Sequence, residues 1–363
     1  MIDFRYHLVS IVAVFLALAI GIVLGSTELQ GPTYNFLNRT TAKLQNQLDQ
    51  TKSNLSATQA QAGADEAYAE AVEPTVLRGL LAGQRLVIVT EPGAQPSVVS
   101  GISAAAIDAG ATVTGQISLA PRFFDTTGTV QDSLNQATLN VAQSAGIPVD
   151  AAATYQQQAA QVIATEILTK APAASAQPAG AVASASADPS ASPDPSASAA
   201  QSASAATMFQ AYAASQFLSI TGQPGAQATL AVVVTPQNVP SDGRQDPVAQ
   251  LLVPVVHELA AKAAATVVVG SSAGSGDGSP MAVVRMNDVA SQVSTVDDAD
   301  LVSGQTVAIQ ALAIALGGGK TGSYGFTANG ATAVAPSPAP TATVSPSATP
   351  TQPAPATAKK ARK

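Results

Sequence analysis

The chain has no cysteine and no tryptophan in 363 residues. The missing thiols exclude disulfides and thiolate metal ligands outright, whatever the compartment. Charged residues reach only 11% and aromatics 4%, while Ala, Ser, Thr, Pro and Gly fill long stretches, so much of the chain has too little to bury to pack a core. Basic residues are outnumbered, and a formal net charge of -7 argues against a nucleic-acid partner, which calls for a basic face. Soft donors are equally sparse: Met1, Met208, Met281 and Met286 form no close pair, and His7 and His257 are the only histidines.

What the chain does have is one long apolar run, Leu8 to Gly25, broken only by Ser10. About 18 helical residues rise roughly 27 Å, close to a bilayer core of roughly 30 Å, so residues 8–25 read as a transmembrane helix. A cleaved secretory signal is the competing reading, with Val23 and Gly25 before the cut. It fits less well, because the apolar core exceeds the usual length and Asp3 stands beside Arg5 in the prefix. Arg5 before the span favours a cytoplasmic N-terminus for residues 1–7, with the bulk of the chain extracytoplasmic at the cell membrane; Arg39 and Lys43 beyond the span weaken that bias. Tyr6 and His7 at the span edge suit interfacial anchoring.

Residues 33–73 are rich in helix formers and contain a single glycine, Gly63. They read as one long helix ended by Pro74. Leu37, Leu44, Thr51, Thr58 and Val72 share one heptad position, and Thr41, Leu48, Leu55, Ala62 and Ala69 the other. This stripe of period 3.5 requires a partner, and a parallel homodimer through Leu37, Leu44, Leu48 and Leu55 is expected, with a helix folded back onto its own domain as the alternative. Asp65 and the threonines make the seam thin.

Residues 80–330 carry the pattern of an α/β domain. Arg85–Thr90 reads as a strand, about 97–109 as a helix capped by Gly110, and 111–119 as the next strand. The unit recurs with a strand at 228–235, a helix from about Pro247 to Ala264 and a strand at 265–270. Two βαβ halves predict a Rossmann-like, doubly wound parallel sheet with right-handed crossovers. Helices are expected at 129–145, 154–170 and about 304–316, and a further strand at 281–286. Residues 171–206 read as a disordered insertion and 331–363, rich in Pro, Ala and Thr and ending in Lys359, Lys360, Arg362 and Lys363, as a disordered tail.

Candidate chemistry is thin. Gly270-Ser271-Ser272-Ala273-Gly274 matches G-x-S-x-G, but no histidine follows Ser272 and no helix is expected next, so the loop reads as neither nucleophile elbow nor phosphate cradle. His257-Glu258 lacks the second histidine of a zincin, because Ala261 stands in its place. Gly317, Gly318 and Gly319 read as a helix C-cap. Asp297, Asp298 and Asp300 read as loop and capping residues before a helix, with weak hard-cation binding as the alternative. No residue is assigned to catalysis, no cofactor is expected, and the chain reads as a non-enzyme.

The opening MIDFRYHLVSIVAVFLALAIGIVLGS, with Asp3, Phe4, Arg5, Tyr6 and His7 before the span, resembles the start of the mycobacterial copper transport protein B (MctB) family, which includes the envelope protein SteB. A later segment, Val293-Ser294-Thr295-Val296-Asp297-Asp298-Ala299-Asp300 followed by a helix and Gly322-Ser323-Tyr324-Gly325, resembles that family's C-terminal signature. The resemblance implies a role in copper efflux or homeostasis across the cell envelope. It also implies, as the alternative, a dimeric envelope scaffold that regulates peptidoglycan hydrolysis through a membrane partner. The residues themselves offer Cu(I) no thiolate and no paired thioether.

Overall fold

The computed structural model describes residues 3–170, 209–223, 227–237, 247–326, 333, 335 and 336. They form two compact units that divide between Tyr68 and Ala69. The insertion read at 171–206 lies outside the described residues, as does the tail read from 331 onward except at Ala333, Ala335 and Pro336.

Helix α1 (Asp3–Leu77) supplies the first unit. Its segment Arg5–Gly25 has a mean hydropathy of 2.9 and none of it is buried, so by length and composition it can cross a membrane. The helix does not end at Pro74 as expected but runs on to Leu77. Proline removes one backbone hydrogen bond, at a cost of about 3 kcal/mol in a helix interior. Here the following turn is held by Leu77, fully buried in the core of the second unit.

The second unit is built on β1 (Arg85–Thr90), β2 (Thr112–Leu119), β3 (Leu218–Gly222), β4 (Leu230–Val234), β5 (Ala265–Val269), β6 (Ser294–Val296) and β7 (Ser323–Tyr324). These make one seven-stranded sheet in the order β3-β2-β1-β4-β5-β6-β7. All neighbours are parallel except β2 and β3. Strands β4 and β5 are buried along their whole length, as the runs LAVVV and ATVVV require of central parallel strands covered on both faces.

Alternate strand residues feed two cores. Leu86, Ile88, Val232 and Val267 face helices α2 (Pro96–Asp108) and α7 (Val302–Leu316). Val87, Val89, Val233 and Val268 face α3 (Gly128–Ala145), α4 (Tyr155–Ile167), α5 (Pro247–Lys262) and α6 (Pro280–Met286). The few aromatics are concentrated on this second side, where Phe123, Phe124, Phe209, Tyr212 and Phe217 are all buried. Gly110, Gly146 and Gly318 end α2, α3 and α7 with positive φ, the left-handed conformation that closes a helix C-terminus and that glycine adopts without strain.

Two further features of this unit depart from the sequence reading. Residues 280–286 form helix α6, where a strand was expected. Ser279 caps it by accepting from the Ala282 N–H at 3.1 Å, and Pro280 occupies its first turn, which are helix-start signals that outweigh the β-branched pair Val283-Val284. Second, α7 lies on the face opposite α5 and α6, although β6 to β7 steps across the sheet in the same direction as β4 to β5 and β5 to β6. The β6-α7-β7 connection therefore has the opposite hand to its neighbours, against the strong general preference for one hand.

Candidate functional site

Arg285 is the single charge in the apolar helix Pro280–Met286, and its side chain is 3% exposed. A buried guanidinium requires acceptors on every side. It donates through Nε to Thr295 Oγ1 at 2.9 Å, through Nη1 to Asp297 Oδ2 at 2.8 Å and through Nη2 to the Tyr324 carbonyl at 2.8 Å. Asp297 is fully buried, and its Oδ1 accepts from the Phe326 N–H at 2.8 Å. Gly322 donates to Ser294 Oγ at 3.3 Å, and β6 pairs with β7 through Thr295–Ser323 and Val296–Tyr324. The two segments singled out in the sequence thus form one buried clamp, which pins the connection of unusual hand. Gly325 has φ +124, and a Cβ there would collide with Asp297 Oδ1.

The capping role expected of the aspartates is not what the structure shows. Leu301 occupies the N-cap of α7 with no side-chain cap bond, Asp297 serves Arg285, and Asp298 is 1% exposed. Asp300 alone is exposed. Asp298 Oδ1 has no hydrogen-bond partner among the described residues. Burial first, and then the neighbouring charges of Asp297 and Asp300, push its carboxyl up to about 6 against the partial relief of Arg285. Ser271, which follows β5, also has its Oγ buried and unpartnered among the described residues. The start of α7 packs closely on Asp298, because a Cβ on Gly304 would collide with the Asp298 backbone oxygen.

The glycines of the G-x-S-x-G loop have packing roles. A Cβ on Gly270 would collide with Thr235 Oγ1, and one on Gly274 with the Pro236 carbonyl. A helix does follow this loop, contrary to expectation, and residues 279–284 at its start are buried. His257 is half exposed, with Nδ1 3.5 Å from Glu258 Oε1. The same oxygen accepts from Gln157 Nε2 at 3.1 Å, which makes Glu258 a tie between α4 and α5.

Beside β1, β2 and α2 opens a cleft of about 640 Å³. It is lined by the carboxyl end of β1 and the turn that follows, by β2, by the end of β3 and by α2. Its walls carry Thr90, Ser100, Ser103, Thr114, Gln116 and Ser118, with Glu91 as the only charged lining residue among the described residues. The turn after β1 contains Pro92 and Pro96, which lack N–H groups, in place of the glycine-rich donor loop that a pyrophosphate needs. This chemistry disfavours an anionic nucleotide.

Arg5, Tyr6 and His7 are exposed on α1, as are Leu37, Leu44, Leu48 and Leu55 at 54–60%. The first unit thus holds the opening motif and the second the clamp. Sequence reasoning missed Arg285, and its signal was a lone arginine inside an apolar run. Among the described residues no three His, Asp or Glu side chains lie close enough to share a metal ion. Met281 is buried in the core and Met286 is exposed, so the described residues offer Cu(I) no soft donor set.

Residues 1–336 match the family model of the copper transport outer membrane protein MctB. The chain belongs to the MctB family. Copper transporter MctB of Mycobacterium tuberculosis (strain ATCC 25618 / H37Rv) is 28% identical over 339 residues, spanning 92% of this chain and 99% of the relative. Copper transporter MctB of Mycobacterium leprae (strain TN) is 27% identical over 336 residues, with the same coverage. The matched range of this MctB chain takes in the candidate span, the exposed leucines and the whole clamp.

Proposed function

We propose that this chain is a single-pass membrane protein, cytoplasmic at its N-terminus, whose Rossmann-like unit acts outside the membrane in copper efflux or homeostasis. It does so as a non-enzymatic scaffold that works through an envelope partner and not by coordinating copper itself. The observation that carries this reading is the family match over residues 1–336, taken together with the lack of a soft donor set among the described residues. A single span cannot line a channel alone, and an open parallel sheet cannot satisfy its backbone in lipid. The exposed leucine stripe supports a coiled-coil stalk and a homodimer.

In a strain lacking this chain, cellular copper is expected to rise severalfold on copper challenge and to return to its normal level when the full chain is restored. Unchanged copper together with altered wall hydrolysis would instead favour the second reading, a scaffold that regulates peptidoglycan hydrolysis. That reading draws on the same exposed stripe as a partner-binding surface.

A further inference from the structure

The heptad stripe of α1 changes character along its length, and the change falls where the helix passes into the globular unit. From Leu37 to Leu55 the leucines of the stripe are more than half exposed. Farther along, the stripe positions are Thr58, Ala62, Asp65, Ala69 and Val72. Ala69 and Val72 are already half-buried in the second unit. Next to them Glu73 Oε1 accepts from Thr306 Oγ1 of α7 at 3.2 Å, and Leu77 is fully buried. The part of the stripe nearest the sheet is therefore already used by the chain's own fold.

The exposed part suits a second copy of the same chain. An isologous seam places each leucine opposite its own equivalent when two copies run parallel and in register, as two helices anchored in one membrane must. The flanking positions agree, because parallel pairing sets Gln47 against Lys52, Asn54 against Gln59 and Gln61 against Glu66, with no like charges facing. We infer that a second copy pairs with this chain along residues 37–62 only, and that the pairing forks at Asp65, beyond which each helix is committed to its own globular unit. This rests on the dimer reading above and adds where the dimer contact stops.

The absence of native cysteine permits a direct test in the full chain held in membranes. Single variants Leu44→Cys, Leu48→Cys and Leu55→Cys are expected to form disulfide-linked dimers in most of the protein on mild oxidation. Ala69→Cys and Val72→Cys are expected to form at least tenfold less, as is Asn46→Cys on the opposite face of the helix. Equal cross-linking at 69 and 72 would overturn the fork and leave the dimer standing. No cross-linking at 44, 48 or 55, with a monomeric mass for the unmodified chain by light scattering, would overturn the dimer reading and the fork with it.

Discussion

Replacing Arg285 by alanine is expected to destabilise the globular unit by about 3–5 kcal/mol, the usual cost of breaking a buried ion pair by removing one partner. Asp297, fully buried, would keep the Phe326 N–H but lose its countercharge, and the Tyr324 carbonyl would keep only the longer bond from the Asp297 N–H. In a unit of this size that loss lowers the midpoint of thermal unfolding by about 10 °C or more. Circular dichroism of the full chain in detergent measures it. Asp297→Ala should cost a similar amount. The double variant Arg285→Ala with Asp297→Ala should cost less than the two single changes added, because it leaves no unpaired charge behind. Purely additive losses would show that the clamp is not a coupled unit.

Asp298→Asn is expected to act in the opposite direction. Burial raises the Asp298 carboxyl from 3.8 to about 6, so the folded chain holds its proton more tightly than the unfolded chain. Below about pH 4 both states are protonated and the group contributes nothing. Between about pH 4 and 6 the unfolded chain ionises first and stability falls as pH rises. Above about pH 6 the whole penalty is present, on the order of 3 kcal/mol. Asparagine carries no charge, so the variant should be more stable than the native chain by about that amount at pH 7.5 and equal to it near pH 4. Denaturant unfolding at the two pH values checks this. An equal effect at both would place the gain in packing and not in ionisation.

Much of the fold was legible because its signals are local. The β-branched runs RLVIVT, LAVVV and ATVVV read as buried strands and are strands in the structure, and Gly110 and Gly317-Gly318-Gly319 marked helix ends where the structure places them. Helix α6 was not legible as a helix, because seven residues give under two turns and an apolar run that short has no period to read. Its start signals, Ser279 and Pro280, were present in the sequence but sat in a glycine-rich loop. Strand β3 escaped notice because it is a short antiparallel edge between segments of small residues.

The clamp was half legible. Its two segments stood out by their resemblance to a family signature, and the structure brings them side by side as β6 and β7. What spacing does not reveal is that the partner of Asp297 comes from a helix before the signature. Acidic residues ahead of a helix favour the capping reading on local grounds, and tertiary burial overrides it here. The underlying logic is physical: an arginine inside MAVVRM requires a buried carboxylate, and Asp297 supplies it.

A copper role without coordination, as proposed for this MctB chain, is checked by calorimetric titration of the purified full chain with Cu(I) under reducing conditions, without a metal-binding tag. No stoichiometric binding is expected, with at most weak heats that do not saturate. Saturable binding at micromolar affinity or tighter, with a defined stoichiometry, would contradict it and require a donor set that the described residues do not form.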